Sequence, residues 1–144
     1  MSKRIAIAAD HGGYSLKELL KASFKDIDWV DFGTHTSDSV DYPDYAQTLC
    51  KGILSGEAET GVLICGTGIG MSIAANRFKD IRAAVVTSAT EARLTRLHNN
   101  ANVLCMGERI IGLESAKDCL KVFLETEYEG GRHDRRVEKL GLVH

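Results

Sequence analysis

From Gly61 to Met71 the chain reads Gly-Val-Leu-Ile-Cys-Gly-Thr-Gly-Ile-Gly-Met, and Ser72-Ile73-Ala74-Ala75-Asn76 follows. An apolar, β-branched run ends at a cysteine, glycines recur at 66, 68 and 70, and a helical pattern then begins, so strand, loop and helix start are consecutive. Glycine backbones let the amide N–H groups face one concavity, and the helix N-terminus adds partial positive charge. Such a loop binds anions. Its spacing is neither the G-x-G-x-x-G of dinucleotide-binding turns nor the Gly-Lys-Ser/Thr ending of a P-loop.

Cys65 stands where the strand ends, and ligands of open α/β sheets bind beyond the carboxyl ends of strands. A free thiol with a pKa near ~8.5 is mostly protonated at neutral pH, so a nucleophile or base here needs the loop dipoles to favour its thiolate. The competing reading is a small apolar residue closing a core strand. Both fit the pattern alone.

On either side of this unit, from Arg4 to Glu125, the strand–helix alternation repeats. Arg4 to Ala9 is a short apolar strand leaving through Asp10-His11-Gly12-Gly13-Tyr14. Ser15 is the expected cap of a helix with Leu16, Leu19, Leu20 and Phe24 inward and Lys17, Glu18, Lys21 and Lys25 outward. Trp29 to Phe32 is the second strand. A polar loop from Gly33 to Pro43 precedes a helix with Ala46, Leu49, Cys50, Ile53 and Leu54 on one face, ending near Ser55-Gly56. The helix after the glycine loop is expected to run to about Phe78, and Ala83 to Thr87 is the fourth strand. The next helix turns Ala92, Leu94 and Leu97 inward and Glu91, Arg93 and Arg96 outward, stopping at His98-Asn99-Asn100-Ala101. Val103 to Met106 is the fifth strand, and Leu113 to Glu125 a helix burying Ala116, Cys119, Leu120, Phe123 and Leu124.

Five βα units in a row imply a doubly wound parallel sheet with helices on both faces, in one domain spanning 1–144. The exits carrying Asp10-His11, Gly33 to Pro43, Cys65 to Gly70 and Thr87-Ser88 converge on one edge. Beyond about Tyr128 lies a basic helical tail. Its Arg132 and Arg136, four residues apart, share a helix face that would clamp a phosphate, or else form a solvated surface.

A formal net charge of -2 argues against nucleic acid or an anionic membrane as a partner bound by bulk charge. Cys50, Cys65, Cys105 and Cys119 include no C-x-x-C and no Cys/His pair at metal-ligand spacing, which points to reduced thiols and a cytoplasmic location. The apolar run Ile5 to Ala9 is too short for a signal-peptide core.

Assembled, these residues resemble the RpiB/LacAB family of sugar-phosphate isomerases. The matching segments are Ala9 to Gly13, Asp41-Tyr42-Pro43, Ile64 to Asn76, His98-Asn99, Asn102-Val103-Leu104 and Tyr128 to His133, nearly end to end and in order. The resemblance implies a three-layer, Rossmann-like α/β/α sandwich with strand order 2-1-3-5-4 and a C-terminal helical tail packing on a partner subunit. It implies homodimers or dimers of dimers with active sites shared across the interface, and interconversion of ribose 5-phosphate and ribulose 5-phosphate in the pentose phosphate pathway.

By the same resemblance Cys65 is the base, the amides of Gly66, Gly68, Ile69 and Gly70 hold the developing oxyanion, and Thr67 relays a proton between O1 and O2. Thr67 is also suited to cap the following helix. His98 corresponds to the ring-opening histidine and Asp10 to a carboxylate that hydrogen-bonds the sugar. Asp41, Tyr42 and Asn99 match substrate-side positions, although an Asn at a helix end also serves as a plain cap. His11, Arg109, Arg132 and Arg136 correspond to phosphate anchors. The chemistry requires no metal and no nucleotide or other cofactor, and His35, His133 and His144 receive no role. Rival readings are a six-carbon substrate, allose 6-phosphate or galactose 6-phosphate, a flavodoxin-like binding module without catalysis, and a redox cysteine protein.

Overall fold

The structure is a computed structural model that describes residues 3–143; His144 lies outside them. Five parallel strands form one sheet: β1 (Arg4–Ala9), β2 (Asp28–Asp31), β3 (Thr60–Cys65), β4 (Ala83–Val85) and β5 (Val103–Gly107). Their order is β2-β1-β3-β5-β4. The expected order and the parallel sheet are both observed. The helices are α1 (Tyr14–Ser23), α2 (Tyr42–Leu54), α3 (Ile69–Ala75), α4 (Ala89–Asn99), α5 (Leu113–Glu125) and α6 (Asp134–Leu140), with a 3-10 turn at Gly131–His133.

Alternation along the strands builds the three layers. Ile5, Ile7 and Ala9 of β1 and Val62 and Ile64 of β3 face a cluster with Leu16 and Leu20 of α1, Ala92 of α4, and Ala116, Cys119, Leu120 and Phe123 of α5. Ala6, Ala8, Leu63 and Cys65 face the other side, against Ala46, Leu49 and Cys50 of α2 and Met71 and Ala75 of α3. Both faces are covered, which is why these strands read as unbroken apolar runs. No helix among the described residues is long and apolar enough to cross a membrane.

Several local expectations are corrected. Helix α1 starts at Tyr14 with Gly13 at its N-cap and no side-chain cap bond, so Ser15 caps nothing. Strand β2 is Asp28–Asp31, one residue earlier than expected. Helix α3 stops at Ala75 because the Asn76 side chain turns to β4, its amide donating to the Ala83 carbonyl at 2.9 Å and its oxygen accepting from the Ala83 N–H at 2.8 Å. Strand β4 ends at Val85, two residues short of Thr87, while β5 runs one further to Gly107.

Two cations thought to face solvent point inward. Lys17 is fully buried, its ammonium 2.6 Å from Asp31 and 2.7 Å from Glu18. Arg96 donates to the carbonyls of Thr126 (3.0 Å) and Ala101 (2.7 Å) and to Asn100 Oδ1 (3.0 Å), whereas Leu94 is exposed and Thr95 takes the inward position. Leu19 and Leu54, assigned to inward faces, are also exposed. Asn100 ends α4 in the left-handed conformation, φ 49°, as an asparagine stop should.

Candidate active site

Parallel strands put every βα exit on the same edge, and β3 is central, so its exit is the natural floor of a site. Cys65 is its last residue, 6% exposed, and the Gly68 N–H donates to its Sγ at 3.1 Å. Gly68 adopts φ +80°, and a Cβ there would sit 2.8 Å from the Met106 carbonyl carbon. Only glycine combines that conformation with that approach, and the combination is what turns the amide toward sulfur. The other three cysteines are free, buried thiols held in that form: burial pushes Cys50 up to about 12, Cys119 up to about 11, and Cys105 well above the ordinary value.

The loop's neighbours gather around it. Thr67 Oγ1 accepts the Ile69 N–H at 3.2 Å from one residue before the N-cap, which is Gly68 and makes no side-chain cap bond, and its own proton remains to donate. Asp10, at the end of β1, is buried with Oδ1 accepting the Gly12 N–H at 2.8 Å. A Cβ at Gly12 would lie 3.2 Å from the Gly66 nitrogen and 3.3 Å from that Asp10 oxygen, so the β1 exit and the glycine loop touch. The Arg109 N–H donates to the Gly66 carbonyl at 3.0 Å, and the Arg109 side chain runs beside Gly66, its Cδ and Nε each 3.6 Å from where a Cβ would be. Tyr42 packs its ring over Gly70, where a Cβ would meet Cε1 at 2.7 Å. Asp41 is exposed at the N-cap position of α2 without a side-chain cap bond. His11 is exposed, and its Nδ1 accepts the Val40 N–H at 3.1 Å, so the neutral ring carries its proton on Nε2.

The chain thus brings together Asp10, His11, Tyr42, Cys65, Gly66, Thr67, Gly68, Ile69, Gly70 and Arg109. It does not bring His98, Asn99, Arg132 or Arg136 to them. Helix α4 runs back against the strands, so its last residues lie at the amino edge, where Asn99 lines a hollow of about 680 Å³ with Arg82, Ala83 and Ala101 at the starts of β4 and β5. His98, Asn99, Arg132 and Arg136 line a second hollow of about 460 Å³ with His133, Val137 and Leu140. From Gly61 to Cys65 is four strand steps, roughly 13 Å along the sheet, and that length separates the two groups.

The expectation left His133 without a role. It is buried, 7% exposed, and its ring stacks on His98 with centroids 4.6 Å apart at 22°. The signal available was its place beside Arg132 and four residues after Glu129, but nothing in the spacing connects it to a histidine at the end of α4. The tail is anchored there because the Glu129 N–H donates to the Leu97 carbonyl at 3.2 Å, while the Tyr128 hydroxyl donates to Asp134 at 2.8 Å within the tail itself.

Residues 5–140 match the ribose/galactose isomerase family. Ribose-5-phosphate isomerase B of Escherichia coli K12 is 45% identical over 143 residues, covering 98% of this chain and 96% of that protein. The structure of a ribose 5-phosphate isomerase from Thermotoga maritima superposes with a TM-score of 0.97 at 50% identity, covering 99% of this chain and all of the other. Ribose-5-phosphate isomerase B of Clostridium thermocellum gives 0.94 at 48% identity over 96% of this chain and 95% of its own. With the family match running from β1 to the end of α6 and the fold superposing throughout, this chain belongs to the ribose/galactose isomerase family and is an isomerase.

Proposed function

We propose that the chain interconverts ribose 5-phosphate and ribulose 5-phosphate through an enediolate, as a single 1–144 domain in a homodimer or dimer of dimers. The observation that carries this reading is the Gly68 N–H on Cys65 Sγ at 3.1 Å, inside a loop of amides at the carboxyl edge of the sheet. An amide thus donates to the sulfur, and the amides of the same loop support an oxyanion forming next to it.

Cys65 as thiolate takes the C2 proton of the open-chain aldose, and the released electron pair forms the C1–C2 double bond as the C1 carbonyl becomes an oxyanion. Amides of Gly66, Gly68, Ile69 and Gly70 stabilise that charge without reorganising. Thr67, whose oxygen already accepts from Ile69, passes the O2 proton to O1. The Cys65 thiol then protonates C1, the O2 carbonyl forms, and the thiolate is regenerated. Asp10, Asp41 and Tyr42 hold the sugar, and His11 and Arg109 hold the phosphate from the same side.

Ring opening needs a proton at the ring oxygen while one leaves the anomeric hydroxyl, which is work for a histidine. His98 and Asn99, with Arg132 and Arg136, reach the Cys65 loop only from a second copy of the chain. Ile69 and Ile73 on α3, 54% and 53% exposed beside the loop, offer apolar surface for that copy to cover. No cofactor is needed. The reaction belongs to the pentose phosphate pathway, and four buried free thiols suit the reducing cytosol.

Assaying ribose 5-phosphate, allose 6-phosphate and galactose 6-phosphate side by side tests the substrate. The highest kcat/KM on ribose 5-phosphate is expected; a higher value on either hexose phosphate would reassign it.

A further inference from the structure

Outside the Cys65 loop, the described residues contain one group of side chains with the composition of a transition-metal site. One nitrogen each of His98 and His133 and one carboxylate oxygen of Glu129 all lie within 4.8 Å of one another, and His133 Nε2 is 3.8 Å from Glu129 Oε1. His133 Nε2 is buried with no hydrogen-bond partner. A buried polar atom normally has one. The backbone fixes the group: Glu129 is tied to Leu97 one residue before His98, and the His133 N–H donates to the Gly130 carbonyl at 3.2 Å.

We propose that His98, Glu129 and His133 bind a single late first-row divalent cation such as Zn²⁺, and that the ion inhibits isomerisation by occupying the nitrogen of His98. The inhibitory half rests on the ring-opening role proposed for His98; the binding half does not. Two imidazoles and one carboxylate are the donor set of three-ligand zinc centres that keep a fourth position for water, and they disfavour Mg²⁺ and Ca²⁺. Bonds of about 2.0–2.2 Å hold tetrahedral donors roughly 3.4 Å apart, so the group must close by about 1–1.5 Å. The Glu129 side chain, half exposed, is free to make that movement, while the rings must turn well out of their stack for both to reach one ion. Arg132 and Arg136 line the same hollow, and their positive charge weakens the binding of a cation there.

The test is calorimetric titration of chelator-stripped full-length protein with zinc chloride, beside Glu129→Gln and His133→Phe. One ion per chain is expected, weakened at least about tenfold in each variant. In parallel, zinc should suppress turnover of the wild type, reversibly with chelator, while Glu129→Gln keeps its metal-free turnover and resists the ion. Absence of saturable binding, or binding unchanged in both variants, overturns the site. Binding that is lost in the variants but leaves wild-type turnover untouched overturns the inhibitory half. Should the protein not isomerise ribose 5-phosphate, the titration still decides the site.

Discussion

The Gly68 N–H lies 3.1 Å from Cys65 Sγ, and the residue donating it is the one position of its loop with a left-handed backbone, φ +80°. The sulfur's environment therefore depends on a residue without a side chain. Replacing Gly68 with Ala drives a Cβ to 2.8 Å from the Met106 carbonyl carbon in a conformation that L side chains avoid. We expect a loss of about 2 kcal/mol in urea unfolding. Because the amide also turns away from Cys65, kcat should fall more than tenfold with a smaller change in KM. A Gly68→Ala protein with wild-type kcat would show that this amide is not needed.

Asp31 binds the buried ammonium of Lys17 at 2.6 Å and that of Lys21 at 2.7 Å. Burial raises the Asp31 carboxyl, but hydrogen bonds from Lys17, Lys21 and the Gly33 N–H outweigh it, and the net shift is downward. A carboxyl depressed in the folded state contributes stability that is present above its unfolded value near ~3.9 and is lost as pH falls through the folded value. Asp31→Asn should therefore cost about 2 kcal/mol at pH 7, since it leaves the buried Lys17 ammonium with Glu18 as its one remaining carboxylate partner, and the deficit should shrink on acidification below pH ~4. Lys17→Met, which leaves Asp31 paired with Lys21, should stay within about 1 kcal/mol of wild type. Urea titrations at several pH values check both.

Two inactive proteins should restore each other. Cys65→Ala removes the proposed base and His98→Asn the proposed ring-opening group, yet if each site takes these from different copies, a mixed dimer has one intact site. After subunit exchange, half of the dimers are mixed, so about a quarter of wild-type turnover should return. Recovery staying at the level of the separate proteins would place both groups in one chain.

Arg136 is assigned to a phosphate it holds equally in ground and transition states. Arg136→Ala should raise KM about tenfold and leave kcat within about threefold. A fall in kcat without a change in KM would mean that the contact forms only in the transition state.

Much of this was readable from residues 4–125. Continuous apolar runs located every strand to within one or two residues, because a strand covered on both faces needs no polar alternation. The glycines at 66, 68 and 70 announced the loop. The inward turns of Lys17 and Arg96 could not be read, because a helical wheel scores a cation as outward, and the partners that reverse this, Asp31 and the Thr126 carbonyl, come from elements 14 and 30 residues away. The separation of His98 from Cys65 follows from helix direction, which becomes visible only once the strands are known to be parallel. The stack of His133 on His98 depends on where the tail lands, and no periodicity encodes that.

The central claim is that Cys65 is the base of an aldose–ketose isomerase. The most direct measurement is conversion of ribose 5-phosphate to ribulose 5-phosphate in the presence of a metal chelator, with Cys65→Ala alongside and its fold and substrate affinity checked. The account predicts turnover by the wild type and a loss of at least ~10³ in kcat in the variant, with binding retained. A folded Cys65→Ala protein that turns over as the wild type does would contradict it.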